Sequence, residues 1–227
     1  MIQVGLWSAL LSNGVGTTVP DMISFVVINS FLMSMTRTSF ANELGASIRD
    51  GSVIIHFLRP ASYNLVVLFS MLGQNVYHAL TVAIPTTILA ACLFTLTVPH
   101  TVFQGLMFFV LMLMGVLIMC KLVYLTGLLA FWTQATWYLS WYLEAFLVFF
   151  GGTMVPLWFF PEFLARVSEY LPFRYVTYEA IQCFLGRVTQ TEMIRSTIIA
   201  ATWVVVLDCM GRLMWRSISK KITVNGG

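Results

Sequence analysis

The sequence predicts an all-α, polytopic helical membrane protein, and three observations carry that prediction. Of its 227 residues, 59% are hydrophobic and only 9% are charged, against roughly 25% charged in a typical soluble domain. The mean hydropathy is +0.88, more apolar surface than a soluble globule of this size can hide. From Ala61 to Cys120 there is no Asp, Glu, Lys or Arg, and uncharged apolar runs of about 18 residues or more read as membrane spans.

The elements follow in order. Ile2 to Leu11 is apolar but too short to span, and residues 12–18 read as a loop. Met22 to Thr36 is an uncharged run of minimal spanning length, with ends extending toward Val19 and Thr38. Residues 37–61 then carry Arg37, Glu43, Arg49, Asp50 and Arg59, with Gly45 and Gly51 as breaks. This segment predicts one or two short helices outside the bilayer.

The uncharged run after it is too long for one span, which needs about 20 residues. Thr97-Val98-Pro99-His100 supplies the break. One span is expected near Ser62–Leu96, kinked at Pro85, and another near Thr101–Phe131. Residues 132–136 make a turn, and a further span runs near Trp137–Phe150, ended by Gly151-Gly152 and Pro156.

Residues 157–192 are mixed, and external amphipathic or re-entrant helices are expected there. In Pro161–Leu171 the apolar residues Phe163, Leu164, Val167, Tyr170 and Leu171 fall at helical spacing, with Glu162, Arg166 and Glu169 opposite. Pro161 suits a first helical turn and Pro172 stops the helix, so an interfacial amphipathic helix is expected. A second short helix is expected over Tyr175–Leu185. Trp158, Phe159, Phe160, Tyr170, Tyr175 and Tyr178 are expected to form an interfacial aromatic belt. The last span is expected near Met193–Leu213, and the tail 212–227 carries Arg212, Arg216, Lys220 and Lys221.

Lys and Arg favour the cytoplasmic side. The segment 37–61 and the tail share seven of them; the other side holds Arg166, Arg174, Arg187 and, by position, Arg195. The cytoplasmic side is therefore assigned to 37–61 and the tail. The whole chain reads as a single transmembrane domain, 1–227.

Composition also excludes functions. A net charge of +3 gives no basic face for nucleic acid. Four widely spaced cysteines (Cys92, Cys120, Cys183, Cys209) without a CxxC argue against a redox or metal role and for buried small hydrophobes. The histidines His56, His78 and His100 lack metal-ligand spacing, so no metal site is expected. HExxH and GxSxG are absent, and only Asp208 among the aspartates lies well inside a span.

Several polar residues stand out inside apolar spans. Lys121 and Glu144 lie at equal distances either side of the turn near Thr133, which permits an ion pair between antiparallel helices. A structural bridge and a polar patch on a substrate path are both open readings. Asp208 and Arg212 form an i,i+4 pair, with Lys121 as an alternative partner for Asp208. Gln74, Asn75 and His78 cluster in one span, either for interhelical hydrogen bonds or along a path.

These pieces, in this order, resemble the membrane subunits of ABC-2 type export transporters, the six-helix permeases with a Leu-Arg-Pro signature. Here the signature reads from Ile48 to Leu58-Arg59-Pro60. Leu129-Ala130-Phe131-Trp132, the run from Gly151 to Pro161, Leu171-Pro172-Phe173, Leu185-Gly186 and the terminal Gly226-Gly227 match in turn. The resemblance implies five spans plus an N-terminal fragment of a sixth, because Met1 falls inside what would be the first span. It implies a coupling segment for an ATPase at Glu43, Arg49, Asp50, Gly51, His56, Arg59 and Pro60. It also implies external gate helices around Pro156, Pro161, Glu162, Arg166 and Pro172. The chain has no GxxxxGK[ST] loop, so the implied ATP and magnesium belong to a separate ABC ATPase subunit. The resemblance also implies that a second permease copy or a paralogue completes the pair, in the lipid bilayer of a bacterial cell membrane. The implied function is export of a hydrophobic or amphipathic substrate (drug, lipid or peptide), and a secondary transporter or channel not coupled to ATP is the alternative.

Overall fold

The computed structural model describes residues 19–36, 38–50, 52, 62–133 and 137–219. Nine α-helices make up the described fold: α1 (Val19–Ser34), α2 (Phe40–Arg49), α3 (Tyr63–His78), α4 (Ile84–Leu93), α5 (Val102–Leu128), α6 (Trp137–Phe150), α7 (Glu162–Glu169), α8 (Tyr178–Phe184) and α9 (Gln190–Ser219). The described residues contain no strand. Three helical stretches are long and apolar enough to cross a membrane: Tyr63–Leu93, Val102–Leu128 and Gln190–Ser219. Helices α1 and α6 are apolar but shorter, at 16 and 14 residues.

Helix α5 is central. From Gly115 to Leu128 it is buried on nearly every side, with α9, α8, α2 and α3 packed around it. The outer faces of α3, α4 and α9 expose Phe69, Tyr77, Leu80, Ile88, Ile198, Val205 and Leu213. Large apolar side chains lining the outside of a bundle are the pattern that lipid solvation permits and water does not.

Pro85 acts through a π turn. It lacks an N–H, and its ring opposes the carbonyl four residues back. The π segment Ala79–Ala83 just upstream accommodates this with one extra residue. The Thr86 hydroxyl donates to the Val82 carbonyl at 2.7 Å, satisfying a backbone group that the irregular turn loosens.

Of the two arrangements expected for residues 157–192, amphipathic at the interface or re-entrant, residues 172–185 take the re-entrant one. Helix α6 rises only about 21 Å, short of the roughly 30 Å apolar core. The chain after it folds down against the middle of α5. A Cβ on Gly115 would lie 2.3 Å from the Val176 carbonyl oxygen, and Gly115 sits thirteen residues, about 20 Å, beyond Val102. The 3₁₀ turn Pro172–Tyr175 and α8 therefore re-enter the bundle, and every residue of α8 from Tyr178 to Cys183 is buried. Tyr175 and Tyr178 consequently lie in the core rather than in an aromatic belt. Only α7 keeps an interfacial character, with Glu162 and Arg166 ion-paired on its exposed side. Even there Phe163 (74% exposed) and Tyr170 (80%) point outward, and Ser168 is the buried residue.

Helix α8 ends where glycine is required. Gly186 adopts φ +68°, its N–H donates to Cys183 and the Arg187 N–H donates to Gln182, a Schellman closure. The Gln104 side-chain amide donates to the carbonyls of Cys183 and Phe184 at 2.8 and 2.9 Å, binding the re-entrant helix to the start of α5.

The Gly115 contact yields a prediction. Gly115→Ala places a methyl group against backbone that has no rotamer to yield, so it is expected to lower stability by about 1–3 kcal/mol. Gly73→Ala, in open space, is expected to be neutral or stabilising. Thermal melting of the two variants in detergent checks the contrast.

Two of the four cysteines also differ from expectation: Cys120 and Cys183 are buried, but Cys92 and Cys209 are exposed, because their helix faces look outward.

Candidate functional site

Four structures carry the polar chemistry. The first is a lattice joining α3, α5 and α9. Lys121 Nζ donates to Asp208 Oδ1 at 2.6 Å and to Asn64 Oδ1 at 3.1 Å. Asn64 Nδ2 donates to the same Asp208 oxygen at 2.8 Å, and Arg212 Nε donates to Oδ2 at 2.6 Å. Lys121 is only 5% exposed, and a buried charge persists only when paired. The interior partner of Lys121 is thus Asp208; the pairing with Glu144 does not form. Equal depth along a hairpin does not fix which face a residue occupies, and Glu144 lies on the exposed face of α6.

The second is helix α2. Its Leu44 packs against α5 where Gly127 leaves room; a Cβ there would lie 2.5 Å from Leu44 Cδ2. Ser140 of α6 donates to Asn42 at 3.0 Å. Ser47 hydrogen-bonds Tyr63, which stacks on Trp215 at 4.3 Å between centroids. Tyr63 adjoins Asn64, so α2 is linked through one aromatic residue to the ion lattice. Glu43 and Asp50 are exposed. Arg49 closes α2. Gly51, His56, Arg59 and Pro60 lie outside the described residues.

The third is at the opposite end. Glu179, buried in α8, receives Arg174 Nε at 2.5 Å and the Ser196 hydroxyl at 2.7 Å. Burial works against the Arg174 charge, and the Glu179 and Glu169 carboxylates beside it offset that cost. A cavity of about 430 Å³ opens beside this pair, toward Glu192, Arg195 and Trp203. Of the expected gate residues, Pro156 and Pro172 are buried, while Pro161, Glu162 and Arg166 are exposed. Arg187 pairs with Asp21 at 3.3 Å and stacks over Trp158 at 4.4 Å, so the start of α1 belongs to this end as well.

The fourth is a groove between α1 and the end of α6. Asn29 Nδ2 donates to the Thr153 carbonyl at 2.8 Å, while the buried Asn29 Oδ1 has no partner. A cavity of about 350 Å³ here is lined by Asn29, Ser30, Met33, Val148, Thr153 and Met154. Glu144 lies one turn before Val148 on the same face. A carboxylate facing hydrocarbon costs about 2.5–3.5 kcal/mol at the least. The sequence reading missed this groove. Its only signal was Asn29-Ser30 in an otherwise apolar span.

Of the remaining intramembrane polar residues, Asn75 faces the interior. Asn75 is buried and reaches Cys120 Sγ at 3.8 Å. Gln74 and His78 are half-buried on α3, with Tyr77 edge-on to His78. Among the described residues no group of three or more His, Cys, Asp or Glu could hold a metal ion.

The arrangement defines a membrane-embedded helical protein: a lipid-facing bundle, an amphipathic helix docked at one end, a re-entrant segment at the other, and a groove on one flank. Residues 13–226 match the family model described as ABC-2 family transporter protein. The chain belongs to that family and is a permease component of an ABC transporter. No curated protein and no solved structure matches it.

Proposed function

We propose that the chain is the membrane-spanning subunit of an ATP-driven exporter in a bacterial cell membrane. All of residues 1–227 form one transmembrane domain in this reading. A separate ABC ATPase holds ATP and magnesium and docks at the cytoplasmic segment 37–61. The observation that carries the reading is the seating of α2: anchored by Leu44 in the notch at Gly127, exposing Glu43 and Asp50, and linked by Tyr63 to a lattice spanning three helices. A push on α2 is thereby transmitted to the bases of α3, α5 and α9 together.

A second copy or a paralogue pairs with this chain so that the α1–α6 groove faces a shared path. A hydrophobic or amphipathic substrate leaves past the re-entrant segment, with the Arg174–Glu179 pair holding that segment as a unit. The Lys121–Asp208 lattice is a structural clamp rather than part of the path, since its charges are occupied by one another.

The test is a detergent pull-down of the tagged chain from its native membrane, read by mass spectrometry. An ATPase subunit with a phosphate loop is expected, and it is expected to be lost when residues 49–59 are scrambled. A folded chain that brings down no ATPase overturns the reading and favours a transporter driven by an ion gradient.

A further inference from the structure

We infer that the cavity between the start of α3 and the end of α9 binds the phosphate headgroup of an anionic lipid; this goes beyond the export-permease reading and does not depend on it. The cavity has a volume of about 280 Å³. It is lined on one side by Ser62 to Leu65 and on the other by Arg212, Trp215 and Arg216.

Charge is the first argument. No Asp or Glu lines the cavity. Arg212 and Arg216 follow Asp208 by one and two turns of α9. Asp208 already receives Lys121 and Arg212, and the Arg216 guanidinium has no hydrogen-bond or ion-pair partner among the described residues. Three cations therefore share one carboxylate. No other side chain of the protein restores the balance, because all nine of its Asp and Glu residues are among the described ones. The adjoining stretches 53–61 and 220–227 carry His56, Arg59, Lys220 and Lys221 and no acid. The cavity thus lacks an anion from outside the chain. Guanidinium forks suit a phosphate, which accepts parallel N–H bonds from them. The Ser62 hydroxyl, which makes no cap bond to α3, adds a donor.

Position is the second argument. Trp215 stacks on Tyr63 with centroids 4.3 Å apart, and Trp and Tyr gather at the headgroup level of a membrane. Leu65, at the rim of the cavity, is exposed, and the exposed Phe69 and Val76 continue its face of α3 into the apolar span. Leu213 is exposed beside Arg212. A lipid sets its phosphate between the arginines and lays an acyl chain along this strip. Inorganic phosphate answers the charge but leaves the strip uncovered. Basic pockets between spans take anionic headgroups for this reason.

The experiment melts the purified full-length chain in a neutral maltoside detergent against rising concentrations of dioctanoylphosphatidylglycerol, dioctanoylphosphatidylcholine or inorganic phosphate. A ligand of the folded state raises the melting temperature with its concentration, which yields an apparent affinity. The phosphatidylglycerol shift is expected to saturate and to exceed by far those of the zwitterionic lipid and of inorganic phosphate at equal concentration. Arg216→Gln is expected to melt like the parent without lipid, because its guanidinium is unpaired, and to weaken the phosphatidylglycerol affinity about tenfold or more, as loss of a charged hydrogen bond does. Lys221→Gln, which removes the same charge, is expected to weaken it by no more than the roughly fivefold of one diffuse surface cation. Ser62→Asp keeps a good N-cap for α3 while placing a carboxylate in the cavity, so it is expected to hold the melting temperature and lose the lipid. Equal shifts from the two lipids, an equal shift from inorganic phosphate, an affinity insensitive to Arg216→Gln, or equal losses from Arg216→Gln and Lys221→Gln overturn the inference. The assay contains no ATPase. Its failure leaves the permease reading standing, and a chain that captures no ATPase leaves the lipid site standing.

Discussion

Asp208→Ala is expected to destabilise the bundle by about 3–5 kcal/mol, the cost of leaving a buried charge uncompensated, and to do so more severely than Lys121→Met. The asymmetry follows from the partners. Without Asp208, the ammonium of Lys121 stays buried with only the neutral Asn64 oxygen beside it. Without Lys121, Asp208 keeps Arg212 at 2.6 Å and Asn64 at 2.8 Å, and is itself the more exposed of the two. The Met variant is therefore expected to cost about 1.5–3 kcal/mol, the range for losing a charged hydrogen bond. The double variant Lys121→Met with Asp208→Ala is expected to be more stable than Asp208→Ala alone, because it removes the orphaned charge. Melting of the three variants in one detergent checks the order. A Glu144 substitution placed in the same series is expected to have little effect, since that residue shares no contact with the lattice.

Replacing residues 49–59 with a Gly/Ser linker of equal length is expected to reduce ATP-driven transport to background while leaving membrane insertion and melting unchanged. A flexible linker spans the same distance but offers no fixed surface for the ATPase to dock against. Helix α2 remains on α5, because Leu44 and Gly127 are untouched and lie outside the replaced stretch. Transport by the linker variant at the parental rate contradicts the proposed coupling, and loss of insertion contradicts the separation of folding from coupling.

The sequence made the spans legible because lipid imposes a simple rule: uncharged apolar runs of sufficient length. The long helices α3–α4, α5 and α9 follow it. The same rule leaves residues 172–185 undecided between an interfacial and a re-entrant placement. Their mixture of Arg174, Glu179 and tyrosines resembles an interface, but the two charges neutralise each other and the tyrosines pack inward once the segment re-enters. Nothing local distinguishes these cases; the deciding feature is Gly115, sixty residues away, which lets the Val176 backbone approach. The buried lattice was half legible. Lys121, Asp208 and Arg212 were identifiable as intramembrane charges, but a helix's rotation decides which partner Lys121 meets, and hairpin arithmetic gives depth alone. Asn64 was invisible as a member, since an Asn at the start of a span looks like an ordinary interfacial residue. The groove at Asn29 depends on where residues 151–154 return, which no local pattern encodes.

The most direct test of the account's central claim, that the α2 end receives the ATPase, is site-specific photocrosslinking in intact cells. A benzophenone side chain is placed at the exposed position 43 of α2 and, separately, at the exposed position 162 of α7. A crosslinked adduct containing an ATPase subunit from position 43 and none from position 162 is the predicted result. An ATPase adduct from position 162, or none from position 43 in a chain that inserts and melts normally, would contradict it.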